Sequence, residues 1–416
     1  MRNLLLTEGL EKKWVQKTDL TERLSVDGKT KTYPVYSIKL KHLYFNDKND
    51  RIATWIAEHK SKHQITSFDV FDEGYNETIH QFIVNSKEDS INKTTKNIML
   101  NGQQRPGVVL ADGRIIDGNR RFTCLRNLAD TDSEFNWFNA VILDYDIEDK
   151  DAEKTIKLLE LELQHGREER VDYNPIDRLV GIYRDIVETK LLTEEEYRNK
   201  TGWTKGTLEE ELEAAKLIVE FLEFIEAKKQ YHIARDLELN GPLREIVGIL
   251  KKVEDEDDRA DIKNILFTNL AMEPKGDMTR FIRNLGKALV SKSKVINRGL
   301  VDDQQEYVKK FLDEIYKLIT DSETVSADDF KNKIRANDEL RRNLLESAEL
   351  ASEAVRRNQT LEEPVKLAEK AFKDLNAIKL DMLKKMNNTD LIRLQNQVSH
   401  IERQLSEIKD KLGEVL

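Results

Sequence analysis

The stretch NGQQRPGVVLADGRIIDGNRRFTCLRNL, Asn101 to Leu128, decides how the first third of this chain is read. Gly107–Leu110 and Arg114–Ile116 are short apolar runs, and Ala111-Asp112-Gly113 between them predicts a tight hairpin turn. Asp117-Gly118 ends the second strand. Phe122, Leu125 and Leu128 then recur at helical spacing, so a helix is expected from Asn119. A strand that stops at glycine and feeds a helix points the first, unbonded N–H groups of that helix at one spot, which favours an anion. Arg120 and Arg121 add fork-shaped donors suited to phosphate oxygens. Asp117 has three readings: it holds a magnesium-bound water, orients an arginine, or caps the helix.

Working outward, Val35–Leu40 alternates apolar and polar residues as a half-buried strand does, and Ala140–Leu143 reads as a buried strand. Asn49–His59 and Glu77–Asn85 have helical patterns, and polar Ser86–Asn97 reads as a loop. Together these predict an α+β unit over residues 33–148, preceded by a charged, weakly helical arm over 1–32. After Asp144 the pattern is almost continuously helical, with pieces at Leu158–Glu169, Pro175–Thr189, Glu194–Thr201, Thr207–Ile225, Gly241–Val253 and Asp277–Leu289. Thr193 with Glu196 is a capping-box signature, Ser326 with Asp329 a second, and acidic Glu254–Asp258 reads as a solvated turn. We place a helical domain at 149–299 and a further helical region at 300–416, with Pro364 in the first turn of a helix from near Leu361. Leu391, Leu394, Val398, Ile401, Leu405, Ile408, Leu412 and Val415 alternate spacings of three and four. That is the seam of a coiled coil, roughly 37 Å long, and it predicts a homodimer joined through about 391–416.

The glycine-rich segments resemble the ParB/sulfiredoxin superfamily, in which a hairpin runs into a D-G-x-R-R type loop and then a helix. GQQRPGVV resembles the lead-in of the same domain. The resemblance implies that Gly102, Gln103, Gln104, Arg105, Gly118, Asn119, Arg120 and Arg121 bind nucleotide phosphates, and that Asn46 and Arg51 lie near the pocket. It makes Asp117, Arg120 and Arg121 the candidate catalytic residues and magnesium with CTP or ATP the expected ligand. The sulfiredoxin branch is set aside, because its catalytic cysteine position is Asn119 here. Cys124 falls a turn later on the apolar face and reads as a packing residue. ELELQHGREERVDYNPID, from Glu160, resembles the ParB segment E-N-x-Q-R-x-D-L-N-P-x-E, with Gln164, Asp172, Asn174, Pro175, Ile176 and Asp177 matching and Gly166–Glu169 inserted. In ParB that Glu-Asn pair helps hold metal, so Glu160 and Glu162 are the candidate metal ligands.

LTEEEYRNKTGWTKGTLEEELEAAKLI, from Leu192, has helix-turn-helix length with Gly202 at the turn. Its second helix carries Glu209, Glu210, Glu211 and Glu213 before Lys216, which repels phosphate and leaves Lys205 as the basic contact there. Arg280, Arg283 and Lys287 share one helical face in a basic stretch from Lys275 to Arg298, a better phosphate stripe. A net charge of −10 excludes non-specific coating of nucleic acid, so any DNA contact must be a local patch. One cysteine excludes an internal disulfide, and no apolar run is long enough to cross a membrane. The expected setting is cytoplasmic. His59 and His63, spaced i and i+4, lack further ligands nearby; neither a P-loop nor G-x-G-x-x-G is present. The expectation is a ParB-like, CTP- or ATP-dependent switch or clamp associated with DNA, working with a partner ATPase or effector protein. A nuclease or NTPase effector of an anti-phage or mobile-element system, and an adaptor with a vestigial pocket, are the alternatives.

Overall fold

Alternation and turn chemistry in the first third build a mixed five-stranded sheet from β1 (Val15–Val26), β2 (Lys29–Lys39), β3 (Gly107–Leu110), β4 (Ile115–Asp117) and β5 (Trp137–Leu143). Their order is β1-β2-β5-β3-β4. Neighbours are antiparallel except β3 and β5, which run parallel with Gly107 opposite Ala140. The computed structural model describes residues 4–26, 28–70, 72, 74–145, 149–165, 174–274, 276–319, 325 and 330–415. The chain forms two units, Met1–Ser352 and Glu353–Leu416.

The expected weakly helical arm over 1–32 is corrected. Among the described residues there, only Glu8–Glu11 (α1) is α-helical, and Val15–Val26 is an edge strand of the sheet. Val15, Leu24 and Val26 are buried among charged neighbours, and a register shift between Lys17 and Thr21 breaks the alternation that marks a strand. Ser86–Asn97 is also corrected. After α2 (Ala53–His63) and α3 (Tyr75–Ser86), it lies largely in α4 (Glu88–Asn101). Ile91 and Ile98, seven residues apart, bury one stripe of α4 while its polar residues face solvent.

Side chains alternate across the sheet, so each face has its own core. Val109, Ile115, Phe138 and Ala140 pack with α3, α4 and α5 (Asn119–Ala129). Val108, Leu110, Ile116, Val141 and Leu143 pack with Ile156 and Leu159 of α6 (Lys150–His165). Cys124 is fully buried, its Sγ 3.6 Å from the Ile91 carbonyl, in keeping with a packing role.

Beyond α6 come α7 (Pro175–Tyr183) with a π-helical turn at Arg184–Glu188, α8 (Glu194–Thr201), α9 (Lys205–Phe224), α10 (Tyr231–Asp236) and α11 (Asn240–Leu250). They are followed by α12 (Glu256–Ala271), α13 (Met278–Leu289) and α14 (Arg298–Leu318). The capping box of Thr193 and Glu196 starts α8, and left-handed Gly202 ends it. Acidic Glu254–Asp258 is the capped start of α12, with the Asp255 carboxylate accepting from the amides of Asp257 and Asp258. Pro364 does not open a helix: it lies inside α15 (Asp338–Asn376), which forgoes one backbone bond there. The seam residues from Leu391 onward lie on α16 (Asn388–Val415). Residues 166–173 and 326–329, with the proposed insertion, Asp172 and the second capping box, lie outside the described residues.

Candidate phosphate-binding cleft

The junction of β4 and α5 opens into a solvent-facing cleft, with about 110 Å³ of enclosed space, that also reaches the helical part. Its walls come from Arg51 and Trp55, from Gly118, Asn119 and Arg120, and from Asn174, Asp177 and Arg235. Gly118 sits at φ 107° as the residue before α5, a conformation that suits glycine alone, and no side chain caps that helix start. A Cβ on Gly118 would also meet the Phe138 ring at 2.8 Å. The first amides of α5 therefore face the cleft mouth with their dipole uncompensated. Asn119 adds an Oδ1 that is buried without a hydrogen-bond partner among the described residues.

Arg120 carries the electrostatic signature of the site. Burial, together with the like charges of Arg51 and Arg121, pushes its pKa down to about 10. No carboxylate offsets this; the Cys124 thiol is the one group acting the other way. A half-buried cation held beside another cation is stabilised by an incoming anion.

Arg121 is not brought to the cleft. Its Nη2 donates to Asp117 Oδ2 at 2.8 Å, and its Nη1 donates to the carbonyls of Arg105 (2.8 Å) and Pro106 (3.2 Å). Asp117 thus follows the second of its three readings: it orients an arginine. The lead-in loop is structural as well. Gln103 donates to the Asn139 carbonyl at 2.7 Å and accepts from the Asn139 amide at 2.8 Å. It takes up backbone groups just short of where β3 begins opposite Ala140. Gln104 donates to the carbonyl of Asn101, and Arg105 is exposed. Gly102 and Gln103 line a separate surface depression beside Met99 and Trp137. Of the expected phosphate binders, the structure assembles Arg51, Gly118, Asn119 and Arg120.

The two metal candidates part company. Glu160 is buried with Lys157, 3.8 Å away, and accepts from Gln164 at 3.1 Å; Glu162 instead pairs with Lys200 at 2.6 Å. Burial, reinforced by Asp50 and Asp185 against the pull of Lys157, raises Glu160 to about 7. Each carboxyl is already engaged by its own partners, Glu160 by Lys157 and Gln164 and Glu162 by Lys200, so the two do not converge on one ion. Among the described residues, no group of three or more metal-binding side chains converges.

Sequence reasoning missed the contacts that join the cleft's two walls. Asp50 receives Lys157 at 2.6 Å and Arg184 at 2.5 Å, and Asp185 lies 3.0 Å from Lys157. Gly181 packs so closely on Asp50 that a Cβ would lie 2.7 Å from its carboxyl carbon. Four residues on, Thr54 donates its amide to Asp177 at 2.8 Å, and the Arg235 guanidinium stacks over Trp55 at 4.0 Å. Apart from Lys157 and Asp185, these partners lie more than 100 residues apart, and the matched N-P-x-acid pattern around Asp177 was the one trace of them in the sequence.

The candidate DNA surfaces are less basic in space than in sequence. On α9, Glu211 is buried between Arg178 and Arg244, and Glu213 pairs with Lys251. Glu209, exposed, sits 3.6 Å from Lys205. On α13, Arg283 pairs with Glu245 at 2.7 Å, while Arg280 and Lys287 are exposed. Lys294 and Arg298 are paired with Glu254 and Asp258. His59 packs tilted against His63 and stacks on Phe68. No helix among the described residues is long and apolar enough to cross a membrane. No protein-family model, curated protein or solved structure matches the chain.

Proposed function

We propose that this chain is a ParB-like, nucleotide-gated switch whose triphosphate seats at the start of α5 against Arg120 and Arg51. The observation that carries the reading is Arg120: a desolvated guanidinium beside a second arginine, at an uncapped helix start, inside a cleft. That combination supplies amide donors, dipole and bidentate cations to one anion. The cleft has walls from the α+β unit and from the helical part, so an occupant touches both and biases how they engage. The helical part is then the output. It associates with DNA through Arg280 and Lys287 rather than through the acidic α9, and α16 holds copies of the chain together. Magnesium arrives with the phosphates, since Glu160 and Glu162 do not form its cage.

Calorimetric titration with the four NTPs, with and without magnesium, tests this directly. At least one NTP is expected to bind, and Arg120→Ala is expected to weaken it roughly 10- to 100-fold, the worth of one or two charge-assisted bonds. Absence of binding by any NTP to the wild-type chain sinks the proposal.

A further inference from the structure

We infer that Asp177 reads the nucleoside: its Oδ2 accepts a hydrogen bond from an N–H or O–H of the base or sugar, so the cleft takes nucleoside phosphates in preference to bare polyphosphates. The inference rests on the nucleotide-binding reading above and goes beyond it by assigning the other end of the ligand.

Asp177 is the third residue of α7, after the Asn174 cap and Pro175. Its side chain is fully buried, yet it lines the cleft. One carboxylate oxygen is committed. Oδ1 accepts the Thr54 amide at 2.8 Å, which caps α2 from a neighbouring helix, since α2 has no side-chain cap at its own N-cap residue. Oδ2 is buried and has no hydrogen-bond partner among the described residues. Folded proteins seldom leave such an oxygen unsatisfied, because it forfeits its hydration without replacement.

Three of the cations nearby are held by other carboxylates, and none of the three donates to Oδ2. Arg235 donates to Glu58 at 2.8 Å, lies 2.8 Å from Asp236 and reaches Thr54 Oγ1 at 3.3 Å. Lys157 and Arg184 are held by Asp50 and Asp185. The missing donor must therefore come from whatever fills the cleft. Guanidinium groups together with two bare acceptors, Asn119 Oδ1 and Asp177 Oδ2, match a molecule that is anionic at one end and carries N–H or O–H donors as well. A nucleoside phosphate has that polarity; inorganic polyphosphate, being acceptor-only at both ends when fully ionised, does not.

The test uses the full chain at pH 8.5, where Asp177 is ionised, titrated with the tightest NTP and with inorganic tripolyphosphate under the same magnesium concentration. The wild-type chain is expected to prefer the NTP by at least tenfold, a ratio that needs no variant. Asp177→Asn keeps an oxygen for the Thr54 amide and turns an N–H₂ toward the ligand. It is expected to cost at least tenfold in NTP affinity and to leave tripolyphosphate within twofold. A 2′,3′-dideoxy nucleotide separates the two donor sources: insensitivity to Asp177→Asn assigns the sugar, retained sensitivity the base. Equal wild-type affinity for NTP and tripolyphosphate overturns the inference, as does loss of both ligands together in Asp177→Asn. Failure of both ligands to bind the wild-type chain sinks the underlying nucleotide reading instead.

Discussion

Arg120 and Arg121 are adjacent in sequence and have separate roles in the fold. Consecutive helix positions point about 100° apart, so one guanidinium enters the cleft while the other turns to the lead-in loop. Arg121 ties Asp117 to the carbonyls of Arg105 and Pro106, and its side chain and that of Asp117 are each about one-fifth exposed. Arg121→Ala is therefore expected to act on stability, losing about 1–3 kcal/mol in denaturant titration as three bonds are removed. Its NTP affinity is expected to fall less than that of Arg120→Ala. A variant of normal stability that loses binding as fully as Arg120→Ala would show that the two arginines share the phosphate after all. Gly118→Ala fails for a separate reason: its Cβ meets both the wrong side of φ and the Phe138 ring, so unfolding at lower denaturant is expected, by roughly 1–3 kcal/mol.

Local chemistry made some elements legible and hid others. The hairpin, the Asp-Gly break, the start of α5 and the capping box of α8 are each written in a few adjacent residues, and each formed as read. Strand β1 was not legible, because a bulge between Lys17 and Thr21 and a run of exposed charge erase its period. The union of Asp50 with Lys157, Arg184 and Asp185 leaves no periodic mark at all, since it depends on segments 107 and 134 residues apart. That junction has a measurable pH signature. Burial raises Glu160 and Asp177 to about 7, above ordinary unfolded-state carboxyls. Such groups favour the fold most fully when protonated, and their contribution is lost as pH rises through 7. His42, His59, His80 and His232 are held below 6.5 by burial, so they weaken the fold as pH falls toward and below that value, opposing the carboxyls. Between pH 6.5 and 8.5 the two carboxyls are expected to cost the wild-type chain roughly 1 kcal/mol each relative to a chain without them, while the histidines act in the opposite direction in both. Chemical denaturation at the two pH values measures this. Glu160→Gln with Asp177→Asn is that reference chain and is expected to gain stability from pH 6.5 to 8.5 relative to the wild type; an unchanged slope in the double variant would place its origin elsewhere.

A chain of net charge −10 repels its own copies at long range, so association needs a specific apolar surface. Helix α16 presents one: Leu405, Ile408 and Leu412 are each 55% exposed along a single stripe of the isolated chain. Covering such side chains yields roughly 1–2 kcal/mol apiece, enough across the seam to hold copies together at micromolar concentration. The spacing alone predicted two strands, but the identities along the seam point higher. The first seam position of each heptad is Leu391, Val398, Leu405 and Leu412, and the fourth is Leu394, Ile401, Ile408 and Val415. Leucine at the first with isoleucine at the fourth shifts preference from dimers toward larger bundles. Flanking Gln395, Gln397 and Gln404 are uncharged, while Glu402, Lys409 and Lys411 place ions at the edges of the seam. Sedimentation equilibrium on the full chain is expected to give a mass above that of two copies. Leu405→Glu with Ile408→Glu is expected to return it to a single copy while the thermal unfolding of residues 1–352 stays within about 2 °C. A mass of two copies would show that spacing outweighs side-chain shape here, and a monomer at tens of micromolar would mean that the stripe is reserved for a different partner.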